Sequence, residues 1–310
     1  MVATDPPRLP SGTSALADKL PGAAWALLSA FLFTAMVAVF KALGDTVPVA
    51  EVLFLRQVMV LAVILPGLIA GLPRSAASLK SGAPGLQLLR SVLSAAAMLA
   101  GFTAVVHLPL TQSTTLAFTR VIFAVILSAI VLGERVGQRR WAAVAVGFGG
   151  AVIVASPSPT DPINQYVLLS LVAAFFTGSV TVILRRLSTI DAPRTIMVWH
   201  SLVLLVLLAV PAWLEWTWPT LEQWELIGVM GLLMAGTQWT SIQALRLSEA
   251  SAMAPIEYTR LIWAAVFGYI AFGHIPEGAT MLGAVLIILA AVLAARSRRP
   301  ASSAPAPDRV

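Results

Sequence analysis

Long apolar segments separated by short polar turns dominate the chain. A membrane-spanning helix needs about 20 largely apolar residues, and ten segments meet or approach this length. Glycine, proline, serine and aspartate lie between them, which is typical of turns. The predicted spans are 22–43, 49–71, 85–107, 111–132, 140–156, 165–186, 194–214, 224–245, 251–272 and 278–295. We therefore expect an all-α membrane protein with ten transmembrane helices.

The composition excludes the common soluble classes. Hydrophobic residues make up 58% of the 310 residues and charged residues only 11%, against about 25% charged in a typical soluble domain. There is no cysteine, which rules out disulfides and thiolate sites. The sequence also lacks a phosphate-binding glycine loop and a metal-binding histidine motif. We expect no cofactor and no direct use of ATP.

The placement of the basic residues predicts the orientation. With the N-terminus in the cytoplasm, 16 of the 20 lysines and arginines fall on the inner side, as the positive-inside rule requires. The net charge of +6 therefore reflects topology and contact with the lipid bilayer, and we expect no nucleic-acid partner. An outer loop carries clustered indoles that suit the membrane interface: Trp213, Trp216, Trp218 and Trp224. We expect an inner-membrane protein with both termini cytoplasmic, and disordered tails at 1–20 and 297–310.

The chain repeats itself with an offset near 140 residues. Thr119-Arg120 aligns with Thr259-Arg260, and Gly133 aligns with Gly273. This predicts two halves of five spans each, at 21–156 and 164–296. Because five is odd, the second half enters the membrane from the opposite side. Inverted repeats of this kind place a substrate near the bilayer midplane and support alternating access, so the repeat indicates a carrier.

Several motifs resemble a known family. These are Phe54-Leu55-Arg56 in the second span, Gly133-Glu134-Arg135 after the fourth, and Arg140-Trp141 followed by Gly147-Phe148-Gly149-Gly150. They resemble the drug/metabolite transporter superfamily and, within it, the EamA-type carriers, over residues 20–296. In the second half His274 stands where Glu134 stands in the first. The resemblance implies a ten-helix bundle that transports small organic metabolites. Its details are most similar to S-adenosylmethionine and riboflavin carriers.

Charged residues inside predicted spans are candidate binding groups, since each costs about 2.5–3.5 kcal/mol at the bilayer centre. Arg120 and Arg260 both lie about nine residues into their spans, roughly 14 Å deep. Two guanidiniums there suit a carboxylate, a phosphate or an electron-rich ring edge. Glu257 precedes Arg260 by one turn, and it could bind a substrate cation or accept a coupling proton. The alternative is a purely structural ion network. Arg56 could join the site, extend to the outer face or pair with Glu51.

Aromatic residues near these charges could form a pocket wall that stacks a planar ligand. The candidates are Tyr258, Trp263, Trp199 and Trp239; core packing or lipid contact is the alternative for each. His200 could relay protons or be a hydrogen-bonded structural histidine. Pro255 is a candidate for a gating bend, and Lys41 for an anchor at a helix end. The glycines of the fifth span suit close helix packing.

Together these features predict a secondary transporter for a small organic metabolite. We expect this metabolite to be anionic or zwitterionic, and a planar molecule is one candidate. Protons are the candidate coupling ion. An intramembrane enzyme using Glu257 and His200 is one alternative, and a membrane sensor is another.

Overall fold

The computed structural model describes residues 20–44, 46–69, 80–133, 137–155, 164–247 and 256–296. Apart from Leu20, the two predicted tails lie outside the described residues, as do Glu134, Arg135 and Pro255. The described chain forms helices and no strand. The helices are α1 (Leu20–Gly44), α2 (Val49–Ile69), α3 (Pro84–His107), α4 (Leu110–Ala117), α5 (Arg120–Val131), α6 (Gln138–Ala155), α7 (Gln165–Leu187), α8 (Pro193–Leu214), α9 (Leu221–Leu247), α10 (Arg260–Phe272) and α11 (Gly278–Arg296).

The apolar segments of the sequence coincide with these helices, so the all-helical prediction is confirmed. Among the described residues, five helices are long and apolar enough to cross a membrane. They are Gly22–Gly44, Pro84–His107, Leu110–Val131, Gln165–Leu187 and Thr195–Leu214, where Leu110–Val131 comprises α4 and α5 with the turn between them. Three shorter apolar helices accompany them: Trp141–Val154, Arg260–Phe272 and Gly278–Ala290.

The helix ends follow local sequence chemistry. Pro84 is the first residue of α3, where its missing N–H costs nothing. Asn164 caps α7 by accepting a hydrogen bond from the backbone N–H of Tyr166 at 2.9 Å. Gly133 and Gly273 follow α5 and α10 with φ of 65° and 66°. These two glycines are 140 residues apart, and both adopt a left-handed conformation that side chains disfavour.

The chain divides into two compact units. Unit 1 comprises residues 1–79, 109–114 and 201–275, and unit 2 comprises 80–108, 115–200 and 276–310. Within unit 1, α1 packs against α9, α10 and α2. Within unit 2, α7 packs against α3 and α5, and α6 packs against α11.

Small residues allow close helix contacts within each unit. A Cβ added to Gly236 of α9 would lie 3.2 Å from the Leu32 side chain of α1. In unit 2, a Cβ on Gly101 would lie 3.3 Å from Ala173. A Cβ on Gly150 of α6 would lie 2.8 Å from the carbonyl oxygen of Gly283 in α11. Two of the three glycines of the fifth predicted span, Gly147 and Gly150, thus take part in close packing, whereas nothing lies within 4 Å of a Cβ added to Gly149.

Candidate functional site

Two matching breaks interrupt apolar helices. The first separates α4 from α5 at Phe118-Thr119, and the second precedes α10 at Tyr258-Thr259. Thr119 and Thr259 have φ, ψ of −62°, −16° and −63°, −18°. The hydroxyl of Thr119 donates to the Leu116 carbonyl at 2.6 Å. The hydroxyl of Thr259 donates to the Ile256 carbonyl at 2.7 Å. Residues 140 positions apart therefore form the same local structure.

Each break is a tightened turn rather than a loop. The backbone N–H groups of Thr119 and Thr259 donate three residues back, both at 3.0 Å. The N–H groups of Val121 and Leu261 also donate three residues back, to Phe118 and Tyr258. Because these polar groups stay hydrogen-bonded, the turn is tolerated in apolar surroundings. A 3₁₀-like turn inside a helix often marks a functional hinge.

The breaks place arginines at helix starts. Arg120 is the first residue of α5, and Arg260 is the first residue of α10. Each guanidinium therefore adds a positive charge at a turn whose backbone N–H groups stay hydrogen-bonded.

Arg260 is held by a carboxylate and an aromatic ring of unit 1. Its Nη2 donates to Oε1 of Glu257 at 2.8 Å. Its Cζ lies 4.1 Å from the centroid of the Phe33 ring. The Arg260 side chain is 14% exposed and that of Glu257 is 42% exposed. The pair is therefore formed, and its carboxylate keeps an accessible surface.

An aromatic cluster lies in the same unit, on α1 and α10. The ring of Phe31 packs edge-on to Trp263 with centroids 5.0 Å apart, and it lies 5.5 Å from Phe267. Tyr258 is half-buried within the second break. Of the predicted site residues, Arg260, Glu257, Tyr258 and Trp263 thus belong to one stretch of unit 1.

Arg120 belongs to unit 2. Its side chain is half-buried, and its Cζ lies 5.9 Å from the centroid of the Phe118 ring. Gly178 of α7 packs against the first turn of α5: a Cβ there would lie 3.0 Å from the Arg120 carbonyl oxygen and 2.9 Å from the Phe123 Cβ. The lack of a side chain at Gly178 lets α7 approach the first break.

The other predicted site residues lie on α2, α8 and α9. Nη2 of Arg56 lies 3.8 Å from the sulfur of Met234. Trp199 and His200 are half-buried on α8 in unit 2. Trp239 is 55% exposed and packs edge-on to Trp25 at 5.0 Å between centroids. This exposure favours the lipid-contact alternative for Trp239.

Lys41 is less exposed than a helix-end anchor would be. Its side chain is 5% exposed, and its Nζ lies 5.4 Å from the centroid of the Phe272 ring. Among the four clustered indoles, Trp213 and Trp218 are more than 80% exposed and Trp216 is half-buried. No group of three metal-binding side chains occurs within the described residues.

Two carboxylates that the sequence did not mark as site residues are buried in the structure. Glu51 is 0% exposed and Asp191 is 8% exposed. Hydrogen bonds from the Ser81 hydroxyl, the Gly82 N–H and the Gln87 amide hold the pKa of Asp191 below its ordinary value, although burial opposes this. The sequence feature that could have identified Asp191 is its position directly before Ala192-Pro193, at the start of a helix.

The fold and the broken, charge-bearing helices are those of a membrane carrier. The EamA-like transporter family model matches residues 20–156 and 164–296. A riboflavin transporter of Vibrio cholerae is 32% identical over 278 residues, covering 87% of this chain and 91% of that protein. The pseudopaline exporter CntI of Pseudomonas aeruginosa is 28% identical over 90% of this chain and 97% of its own length. An S-adenosylmethionine uptake transporter of Rickettsia bellii is 28% identical over 91% of this chain and 96% of its own length.

A solved crystal structure has the same fold, with a TM-score of 0.58 at 20% identity over 90% of this chain and 97% of the other. The chain belongs to the EamA-like transporter family. It is a multi-pass membrane protein and a transporter of small metabolites.

Proposed function

We propose that this protein is an inner-membrane carrier with ten spans, built from two inverted five-helix repeats at 21–156 and 164–296. Both termini are cytoplasmic, and access to the substrate alternates between the two membrane faces. The matched breaks before Arg120 and Arg260 support the repeat, since residues 140 apart share the same turn. The matched left-handed Gly133 and Gly273 support it at the helix ends.

The proposed substrate is a planar metabolite that also carries a polar or charged group. The Arg260 guanidinium lying on the Phe33 ring and bonded to Glu257 is the observation that carries this proposal. A guanidinium already aligned with an aromatic face offers a flat surface and directed donors to a planar ligand. Arg120 of unit 2 is the second proposed binding residue, and its guanidinium, like that of Arg260, suits a carboxylate or an electron-rich ring edge.

Riboflavin is the first candidate, because a relative 32% identical to this chain bears that name and the molecule is planar with an electron-rich ring edge. S-adenosylmethionine is the second candidate. Its amino-acid carboxylate suits an arginine, and its ammonium and sulfonium groups suit Glu257, whose side chain is 42% exposed.

Glu257 is also the proposed proton carrier, with His200 as the second. A carboxylate next to Arg260 can exchange its ion pair for a proton when the substrate binds the arginine. Transport would then be coupled to the proton gradient.

Ligand-dependent thermal unfolding of the purified protein tests the site. A ligand at 100 times its dissociation constant adds about 2.7 kcal/mol of stability, so riboflavin or S-adenosylmethionine should raise the unfolding temperature. We expect this shift to vanish in Arg120→Gln and Arg260→Gln and to persist in Arg186→Gln, whose exposed side chain lies at the end of α7. A shift that survives in both site variants would place the ligand elsewhere.

Uptake into proteoliposomes tests the transport step. Arg120→Gln and Arg260→Gln should insert and fold yet lose transport. Variants that carried riboflavin or S-adenosylmethionine at the unmodified rate would contradict the assignment of these residues.

A further inference from the structure

Two buried carboxylates make equivalent contacts in the two units. In unit 1, Oε2 of Glu51 accepts hydrogen bonds from the backbone N–H of Thr217 at 3.0 Å and from its hydroxyl at 3.2 Å. In unit 2, Asp191 accepts from the Gly82 N–H at 2.8 Å and from the Ser81 hydroxyl at 2.5 Å. Each carboxylate therefore receives one backbone N–H and one hydroxyl.

The elements that these contacts join also correspond. Glu51 lies in the first turn of α2, and Thr217 lies four residues before α9. Asp191 lies two residues before α8, and Ser81 lies three residues before α3. In terms of the proposed repeats, each contact joins the start of a second helix to the segment leading into the third helix of the other repeat.

Burial makes both contacts energetically important. A buried carboxylate is stable only when hydrogen bonds replace its lost hydration. Within the described residues, Oε1 of Glu51 has no hydrogen-bond partner, so Thr217 alone supports that carboxylate by hydrogen bonds. Asp191 also accepts from the Gln87 amide at 2.8 Å, and Gln87 is fully buried.

We propose that Glu51 and Asp191 are a matched pair of positioning residues, here called the carboxylate clasps, one at each membrane face. This inference rests on the proposed inverted-repeat carrier. Each clasp binds helices of both repeats into one unit, so that the unit keeps its internal arrangement while access alternates. Neither clasp binds substrate.

Hydrogen exchange of the purified full-length protein tests the clasps directly and needs no substrate. Glu51→Gln should accelerate exchange of the segment 215–221 by about tenfold, because a hydrogen bond to a charged group is weakened, and leave 81–87 unchanged. Asp191→Asn should do the reverse. Glu225→Gln, which changes an exposed carboxylate of α9, is the matched control and should alter neither segment.

Milder variants keep the test decisive if a carboxylate change prevents folding. Thr217→Val removes only the hydroxyl bond and should accelerate exchange of 215–221 less than Glu51→Gln does. Thr217→Ser keeps both donors and should restore the unmodified rate. Ser81→Ala and Ser81→Thr form the corresponding pair in unit 2.

The rate of riboflavin uptake, normalised to the amount of folded protein, distinguishes an effect on helix positioning from a general loss of stability. The clasp variants should lower the maximal rate at least several-fold and leave KM unchanged, since they leave the Arg120 and Arg260 sites intact. Unchanged exchange in the matched segment, equal acceleration in both segments, or an unmodified maximal rate would each overturn the clasps. If the unmodified protein does not carry riboflavin, the proposed substrate fails, and the exchange pattern still decides the clasps.

Discussion

Arg260 shows how a charged side chain is accommodated among apolar helices. A stacked guanidinium gains about 0.5–2 kcal/mol from the aromatic face, and the carboxylate adds a charge-assisted hydrogen bond. The Phe33 ring and Glu257 thus both contact the guanidinium. We expect an arginine held by two such contacts to bind a ligand with little reorganisation.

Lysine should not replace this arginine. Arg260→Lys keeps the charge but loses the planar face and the forked donors. We expect ligand affinity to fall by about tenfold or more, as measured by titrating riboflavin or S-adenosylmethionine in the thermal-unfolding assay. Arg186→Lys, at an exposed position, is the control. Equal affinity in both variants would show that charge alone matters at Arg260.

The hydrogen bonds to Asp191 predict a pH dependence. A carboxyl whose pKa is lowered by folding adds stability above its unfolded pKa, and this contribution is lost as the pH falls below that value. The ordinary pKa is 3.8, and in the folded protein it is lower. Asp191→Asn should therefore destabilise the protein at pH 7, and the difference from the unmodified protein should shrink below about pH 4. Unfolding measured from pH 7 to pH 3 would contradict this if the difference stayed constant.

The two broken helices form the most regular feature among the elements. In each, a threonine hydroxyl bonds to a carbonyl three residues back, and the next residue is an arginine. The sequence predicted spans at 111–132 and 251–272, and Leu110–Val131 is long and apolar enough to cross a membrane. The Thr-Arg repeat was visible in the sequence, but it did not predict the tightened turns, because threonine in a helix also bonds backward without interrupting it.

The contact between α7 and α5 should tolerate no side chain at Gly178. A Cβ there would lie within 3.0 Å of α5 backbone atoms, which cannot move aside as a flexible side chain could. We expect Gly178→Ala to destabilise the protein by roughly 1–3 kcal/mol, detected as a lower unfolding temperature. Gly149→Ala is the control, because nothing lies within 4 Å of its added Cβ, and it should be neutral or slightly stabilising. An equal change in unfolding temperature for the two variants would contradict the close contact at Gly178.

For the whole molecule, the proposed ten-span topology makes a simple labelling prediction. The chain has no cysteine, so a single introduced cysteine reports its own position. Trp218→Cys, before α9, should react with a membrane-impermeant maleimide in intact cells. Ser188→Cys, after α7, should react only when the membrane is opened. Both positions are exposed, so labelling of both from outside would contradict the topology.

The two units show how the sequence order and the folded arrangement differ. Along the sequence the halves are 21–156 and 164–296, whereas unit 1 combines α1 and α2 with α9 and α10. Hydrophobic patterning reports which segments leave water. It does not indicate which apolar faces contact each other, because the same apolar residues are favourable against lipid and against a neighbouring helix.

The class of protein, the helices and their approximate ends followed from the sequence, since membrane thickness and hydropathy set them directly. The motifs also led to the correct family and to small-metabolite transport. The arginines and Glu257 stood out because charge in an apolar span is costly, and their roles stay predictions.

The i, i+3 spacing already paired Glu257 with Arg260, but contacts between residues far apart in the chain came from the three-dimensional arrangement. Phe33 meets Arg260, and Thr217 meets Glu51, across more than 160 residues of chain. Such contacts depend on how helices distant in sequence pack together, and no local pattern encodes that packing.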